Sequence, residues 1–200
     1  MQYFGGKQRI AKPLSKFLIS QLKSDQPFVD LFCGSCNVLV QIPDDRLRIG
    51  NDINPYLIAM WKALQQGWEP PQNLTLSSFV GFGCSFAGKW WGGFAKSGSR
   101  NYCMNAYNSV INKRDKLYDV SFCNFDYKEV LFPLGSLVYC DIPYKDTTQY
   151  SYSGSFDHNA FYKFLEDHKG HCALYVSEYA DNVPDNCRVV WEYKSKQDIR

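Results

Sequence analysis

"RLRIGNDINPYLIAMWKALQQG", residues 46–67, is the clearest sequence signal for the fold, because a strand pattern leads directly into a helix pattern. The apolar start ends in Asp52, and Asn54 and Pro55 suit the N-cap and the first helical position. Apolar side chains then recur at helical spacing until Gly67, which suits the position just after a helix. A strand followed at once by a helix is the repeating unit of a parallel sheet.

The same alternation is found along most of the chain. Further strands are predicted at residues 27–32, 120–126, 136–141, 172–179 and 188–194. Helices are predicted at residues 8–23 and 156–170, the second with Asp157 as its cap and Gly170 as its stop. The pattern predicts an α/β fold with a mostly parallel sheet and helices on both faces.

The composition is typical of one globular domain, with 200 residues of which 45% are hydrophobic and 21% charged. No apolar run is long enough to span a membrane, and the start lacks the apolar stretch of a secretory signal. The net charge of +2 neither requires nor excludes a nucleic-acid partner. The eight cysteines are therefore expected to be reduced and structural, and the lone pair Cys33 and Cys36 lacks the second pair that a zinc site needs.

Acidic residues end three of the predicted strands. Since ligands of parallel sheets bind at the carboxyl ends of the strands, Asp52, Asp126 and Asp141 are expected to face one cleft. Asp52 suits the two hydroxyls of a ribose, and Asp126 suits the amino group of an adenine ring. Each of them alone is more often a turn or capping aspartate. The GxGxxG pattern is absent, which disfavours dinucleotide binding.

The stretch "YCDIPYK", residues 139–145, is suited to a planar base that carries an exocyclic amine. Asp141 and the carbonyl of Ile142 can each accept one amine proton, and Tyr144 offers a stacking face. Such an amine is a poor nucleophile because its lone pair is delocalised into the ring. Two acceptors favour a pyramidal nitrogen whose lone pair points at an electrophile. A sulfonium methyl donor is a suitable electrophile.

Residues 80–116 interrupt the alternation, since they are rich in Gly, Ser and aromatic residues. Their basic residues outnumber the single acid Asp115, and they are Lys89, Lys96, Arg100, Lys113, Arg114 and Lys116. Basic residues interleaved with aromatic ones suit a polyanion with bases that can stack. The alternative is a Gly-rich surface loop whose tryptophans fold onto the core.

Together these motifs resemble the Dam-like (alpha-group) DNA adenine-N6 methyltransferases, which use S-adenosylmethionine, over nearly the whole chain. The resemblance rests on "YFGGK" (3–7), "DLFCGSCNV" (30–38), Asp52, Asp126 and "DIPY" (141–144), in the order that this group uses. It implies a Rossmann-like methyltransferase domain formed by residues 1–74 and 117–200. Residues 75–116 would be an inserted target-recognition segment.

The resemblance also implies roles for individual residues. The catalytic residues would be Asp141, Ile142, Pro143 and Tyr144. The cofactor would contact Tyr3, Gly5, Gly6, Lys7, Asp30, Phe32, Cys33, Gly34, Ser35, Asp52, Ile53, Asp126, Tyr127 and Asp141. The expected DNA contacts are Lys89, Lys96, Arg100, Lys145, Thr147, Thr148 and Tyr150. We expect double-stranded DNA as the partner, no metal, a monomer, and the cytoplasm of a bacterium or a phage-infected cell.

Two positions depart from the family pattern. Cys36 lies where the class often has the last glycine of the cofactor turn, and Ile142 lies where it has the first proline of the tetrapeptide. The role of residue 142 is carried by its carbonyl, which any residue supplies, and Pro143 already favours an extended conformation before it. We therefore expect isoleucine to be tolerated there.

Two other functions are compatible with these residues. The same tetrapeptide chemistry would serve the amine of cytosine, or adenine in RNA. A non-catalytic nucleic-acid-binding protein on a decayed methyltransferase fold would account for Cys36 and Ile142. Against decay, every chemically active side chain of the motifs is retained, including Lys7, Asp52 and Asp141.

Overall fold

The computed structural model describes residues 6–70, 79–85, 88–93, 98–99, 101–145 and 156–193. The strands found there are β1 (Phe28–Asp30), β2 (Arg48–Asn51), β3 (Ser121–Cys123), β4 (Leu137–Cys140) and β5 (Ala173–Val176). They form one sheet in the order β3-β2-β1-β4-β5, and every neighbouring pair is parallel. This confirms the predicted α/β class with a parallel sheet, as in a Rossmann-like methyltransferase fold.

Helices flank this sheet. They are α1 (Ala11–Gln21), α2 (Pro55–Gln65), α3 (Tyr102–Ile111), α4 (Arg114–Leu117) and α5 (His158–His168). Short 3₁₀ turns lie at Leu39–Gln41, Tyr127–Glu129 and Ala180–Asn182, and one π-helical turn at Phe79–Gly83. No helix within the described ranges has both the length and the apolar character needed to cross a membrane.

The two faces of the sheet form two separate cores. Successive strand residues point to opposite faces, and in β4 Leu137 and Tyr139 join one buried cluster while Val138 and Cys140 join the other. The first cluster includes apolar residues of α1, α2 and α3, and the second includes those of α5. The sheet is therefore covered by helices on both faces, as predicted.

The predicted helix ends are confirmed. The Asn54 side chain accepts hydrogen bonds from the backbone N–H groups of Tyr56 and Leu57, at 3.0 and 3.3 Å, and Pro55 is the first residue of α2. Asp157 accepts from Ala160 N–H at 3.0 Å at the start of α5. Gly67 and Gly170 follow these helices with φ of 85° and 87°, which favours glycine because a side chain would be strained there.

One predicted strand was wrong. Residues 188–193 form no strand, although their alternating apolar residues gave a strand pattern. Val189 and Val190 are about half exposed, whereas the Trp191 ring stacks on Phe17 of α1 with ring centroids 6.2 Å apart. The segment follows a helix surface instead of pairing with a sheet edge, and residue 194 lies outside the described residues.

The described part of residues 75–116 is packed partly onto the first core. Phe79, Phe82 and the α3 residues Ala106 and Val110 are buried in the same cluster as α1 and α2. The ring of Trp90 lies so close to Gly81 that an added Cβ would be 2.6 Å from it. Helix α3 had not been predicted, and the proposed boundary near residue 75 lies outside the described residues.

Asn54→Ala is expected to lower the free energy of unfolding by about 1 kcal/mol, because two backbone N–H groups lose their acceptor. Asn54→Ser keeps a capping oxygen and should retain most of the stability. Chemical denaturation of both variants measures the difference. Equal stability of the two variants would contradict the capping role.

Candidate active site

The candidate site lies where the strand order reverses, between β1 and β4. The chain runs outward from β1 through β2 to β3, then returns to β4 on the other side of β1. The last residue of β1, Asp30, is in register with Tyr139, so Asp30 and Asp141 leave neighbouring strands at the same edge. Clefts at such reversal points are the ligand sites of open parallel sheets.

One amine contacts both of the predicted catalytic side chains. Nζ of Lys7 lies 2.5 Å from Oδ1 of Asp141. The same Nζ lies 4.3 Å from the centroid of the Tyr144 ring, within cation–π distance. Asp141 and Tyr144 therefore converge on a single nitrogen.

The charges of this pair are set by burial and by each other. Burial acts to lower the pKa of Lys7, but the Asp141 carboxylate and Tyr144 outweigh it and raise that pKa above its ordinary value. Burial raises the pKa of Asp141, and Lys7 opposes that rise. The ammonium therefore keeps a buried carboxylate ionised.

The ring of Tyr144 is held in place by residues that follow β5. Its centroid is 4.7 Å from that of Tyr179 in an edge-on arrangement. Ser177 Oγ lies 2.8 Å from the hydroxyl of Tyr139, and the Ser177 hydroxyl also hydrogen-bonds to Tyr144. Neither Ser177 nor Tyr139 was predicted as a site residue from the sequence, because their roles depend on the pairing of β4 with β5.

The turn between Asp141 and Tyr144 is anchored at two points. The Ile142 side chain is only 2% exposed and packs in the same core cluster as Phe161 of α5. Nε2 of His158 lies 2.9 Å from the Pro143 carbonyl oxygen, and since a carbonyl only accepts, this nitrogen carries the proton. His158 was not among the site residues predicted from the sequence.

The predicted cofactor turn follows β1 and bends sharply twice. Gly34 and Cys36 have φ of 44° and 55°, so a cysteine occupies the left-handed region here. Indole Nε1 of Trp61, from α2, donates to the Gly34 carbonyl at 3.0 Å. Cys33 is buried, and burial raises the pKa of its thiol well above the ordinary range, which makes it a poor nucleophile.

Asp52 is tied to this turn by backbone hydrogen bonds. Its Oδ2 accepts from Gly34 N–H at 2.9 Å and its Oδ1 from Asn54 N–H at 2.9 Å. Burial raises the pKa of Asp52 to about 6, although both N–H groups oppose the rise. Carboxylate lone pairs beyond these two bonds can accept from ligand hydroxyls.

Asp30 has unused hydrogen-bonding capacity at the centre of the site. Its Oδ1 is buried and has no hydrogen-bond partner among the described residues. Burial raises its pKa well above the ordinary value, and the charges of Asp141 and Asp52 add to the rise. An unsatisfied buried carboxylate of this kind suits a ligand ammonium or hydroxyl group.

One further residue, Asn51, was missed in the sequence and fixes the loops around the cleft. The side chain of Asn51 donates to the carbonyls of Leu31 and Phe125, each at 3.1 Å, and accepts from Phe125 N–H at 3.0 Å. It thereby joins the ends of β1, β2 and β3. The one sequence signal for this role of Asn51 was that it is a polar residue in a buried strand.

Lys113 is also buried against the predicted cofactor turn. Its Nζ donates to the Ser35 carbonyl and, at 2.7 Å, to Oδ1 of Asn37. Burial lowers its pKa to about 8, and the thiols of Cys36 and Cys33 oppose that change. The segment between α3 and α4 is thus attached to the turn through one buried amine.

The other predicted site residues within the described ranges make local contacts or are exposed. Asp126 makes a local bond, accepting from Lys128 N–H at 3.0 Å. Phe32 packs on Tyr127, with ring centroids 5.7 Å apart, and Ile53 is 45% exposed. Lys89 and Lys145 are exposed. Outside the described residues lie Tyr3, Gly5, Lys96, Arg100, Thr147, Thr148 and Tyr150.

Lys113→Met should change how stability depends on pH. The folded protein releases this proton near pH 8 and the unfolded chain near 10.5, so the unfolded state binds more protons in between. Stability therefore rises with pH in that window. We expect wild type to gain about 2 kcal/mol over the variant between about pH 8 and pH 9.5, by urea denaturation. The exposed Lys116→Met is the control, and parallel profiles for wild type and Lys113→Met would refute the shift.

Residues 3–75 match the family model of the D12 class N6 adenine-specific DNA methyltransferases. The match covers α1, β1, β2 and α2, and with them the cofactor turn and Asp52, and it ends before Asp141. No curated protein matches this chain. The match supports the adenine methyltransferase family, which uses S-adenosylmethionine and acts on DNA, and it suggests DNA adenine-N6 methylation as the activity of this chain.

Proposed function

We propose that this protein is a Dam-like enzyme that transfers the methyl group of S-adenosylmethionine to the exocyclic amine of adenine within a short DNA sequence. The target base leaves the duplex before it reacts. The protein would act in the cytoplasm of a bacterium or a phage-infected cell. We propose that the protein is a monomer. Residues 75–116 would form the target-recognition segment, because their described part is basic and aromatic.

The observation that carries the proposal is the convergence of Asp141 and Tyr144 on the Lys7 amine, at 2.5 Å and 4.3 Å. An adenine amine needs the same two partners, which are an oxygen acceptor and an aromatic face. The carbonyl of Ile142 is proposed as the second acceptor. For adenine to bind in this way, Lys7 moves off Asp141, so Lys7 holds the carboxylate ionised until the base arrives.

The residues at the strand ends fit the cofactor. Asp52 would accept from the ribose hydroxyls with its remaining lone pairs. The unpartnered oxygen of Asp30 would accept from the ammonium of the methionine part, beside Gly6 and the turn at residues 33–35. Asp126 and Tyr127 are proposed to contact the adenine end. When bound, S-adenosylmethionine supplies an electrophilic methyl group on a sulfonium.

The protein residues then position the target amine. The base must be extruded because its amine is stacked inside the duplex, at a cost of a few kcal/mol. Stacking on Tyr144 offsets part of that cost, and the Tyr179 ring and Ser177 hydroxyl hold Tyr144 in place. Hydrogen bonds from the amine to Asp141 and to the Ile142 carbonyl direct the nitrogen lone pair at the methyl group. The amine proton released after transfer is first accepted by Asp141 and passes to solvent.

DNA contacts are proposed for Lys89, Lys96, Arg100 and Lys145, with Thr147, Thr148 and Tyr150 after the catalytic turn. Most of these would hold phosphates, and one would read a base edge. A cytosine or RNA target would use the same catalytic turn, so the choice of adenine in DNA follows the family match. The retained ion pair between Lys7 and Asp141 disfavours a decayed, non-catalytic protein.

Asp141→Ala is expected to reduce methyl transfer to adenine by at least roughly 100-fold, because the amine loses its charged acceptor. Methylation of a mixed-sequence duplex with labelled cofactor measures the rate. Circular dichroism checks the fold, since the variant leaves Lys7 unpaired. Asp141→Asn keeps the volume and is also expected to be strongly impaired.

Asp167→Ala removes an exposed carboxylate from α5 and is the matched control, with a normal rate expected. A folded Asp141→Ala protein that methylates DNA as fast as this control would overturn the catalytic assignment.

Cofactor affinity should fall as the pH drops below about 6. The pKa of Asp52 is raised to about 6, so below that pH the carboxyl is protonated and accepts less well from ribose hydroxyls. We expect a loss approaching tenfold per pH unit, measured by calorimetry with S-adenosylmethionine. Asp52→Asn should bind weakly with little pH dependence over the same range. A wild-type affinity that is constant down to about pH 5 would contradict this role of Asp52.

A further inference from the structure

A second feature of the molecule, outside the cleft, is a groove of about 500 Å³ between the start of α1 and the α3–α4 region. One wall carries Arg9 and Lys12, and the other carries Lys113 and Lys116. No acidic side chain lines it among the described residues. The groove is therefore strongly positive, although the net charge of the chain is only +2.

The rim cations of the groove are not neutralised by any residue that the structure describes. Arg9, Lys12 and Lys116 are exposed, and none of them forms an ion pair with a described residue. In contrast, the neighbouring Arg114 pairs with Glu69 at 3.2 Å. Like charges on facing walls repel each other, and an anion between them would remove that repulsion.

Two lining residues link the groove to the candidate active site. Its lining residue Gln8 follows Lys7, whose amine contacts Asp141. Its floor includes Asn37, which accepts a hydrogen bond from Lys113 while the same amine holds the Ser35 carbonyl. An anion chain in the groove would therefore run past the cofactor turn.

We propose that this groove binds the phosphate backbone of the DNA substrate, with Arg9, Lys12 and Lys116 as phosphate contacts and the amides of Gln8 and Asn112 as further donors. The proposal rests on the proposed function and adds Arg9 and Lys12, which lie outside the predicted target-recognition segment, to a surface shared with Lys116. Exposed cations on two separate elements suit a polymer that crosses the surface, whereas a small anion is typically enclosed by buried donors.

The test compares two double variants with the same change in charge. Lys12→Gln with Lys116→Gln removes one cation from each wall of the groove. Lys163→Gln with Lys169→Gln removes two exposed cations from the region of α5, on the other face of the sheet. Binding of a fluorescent duplex is measured by anisotropy over a range of salt concentrations. Calorimetry with S-adenosylmethionine and with inorganic pyrophosphate completes the comparison.

The groove variant is expected to bind DNA more weakly, and its slope of log affinity against log salt should be shallower than wild type by about 1.8. Its affinity for S-adenosylmethionine should equal that of wild type, and the α5 variant should keep the wild-type slope. A groove variant with the wild-type slope overturns the proposal. So does one that loses pyrophosphate binding but keeps its DNA slope, which would indicate a small-anion site.

The result of this DNA-binding test does not depend on whether the protein methylates DNA. A wild-type protein that binds DNA without methylating it would refute the proposed function, yet the salt slopes would still decide whether the groove holds phosphates. A wild-type protein that methylates DNA, with a groove variant of unchanged slope, would refute the groove alone.

Discussion

The parallel pairing of β1 with β4 is the constraint on which the site depends. It brings Asp30 and Tyr139 into register, although about a hundred residues of chain separate them. Asp30 then lies beside the turn that carries Asp141 and Tyr144. Since each strand is buried on both faces, a shift of register would move buried side chains to the wrong core, which fixes the geometry of the edge.

Negative charge is concentrated at this edge, and the described residues neutralise it only in part. Burial raises the pKa of Asp30, Asp52 and Asp141, the charges of Asp141 and Asp52 add to the rise at Asp30, and Lys7 pairs with Asp141. Such groups reduce stability unless a ligand satisfies them. Their presence at the reversal point of the sheet is therefore easier to explain by ligand binding than by stability.

The described part of residues 75–116 packs more closely on the rest of the fold than its composition indicated. Phe82 and Val110 complete the core formed by α1 and α2, and Lys113 donates to the cofactor turn. Any movement of α3 and α4 on binding DNA would be transmitted to Ser35 through that amine. The groove cations on α1 and α4 lie at the same junction, so the proposed phosphate contacts lie next to the predicted cofactor turn.

The helix caps and the candidate reactive groups could be predicted from the amino-acid sequence. Caps such as Asn54 and Asp157, and the acids at strand ends, follow from chemistry within a few residues, and these local rules hold regardless of the rest of the fold. The contacts between distant groups depend on the tertiary fold. Lys7 with Asp141, His158 with Pro143 and Lys113 with Ser35 are contacts between segments distant in sequence. The incorrect strand prediction at residues 188–193 has the same cause. A strand needs the edge of a neighbouring strand to pair with, and the Trp191 ring stacks on helix α1 instead.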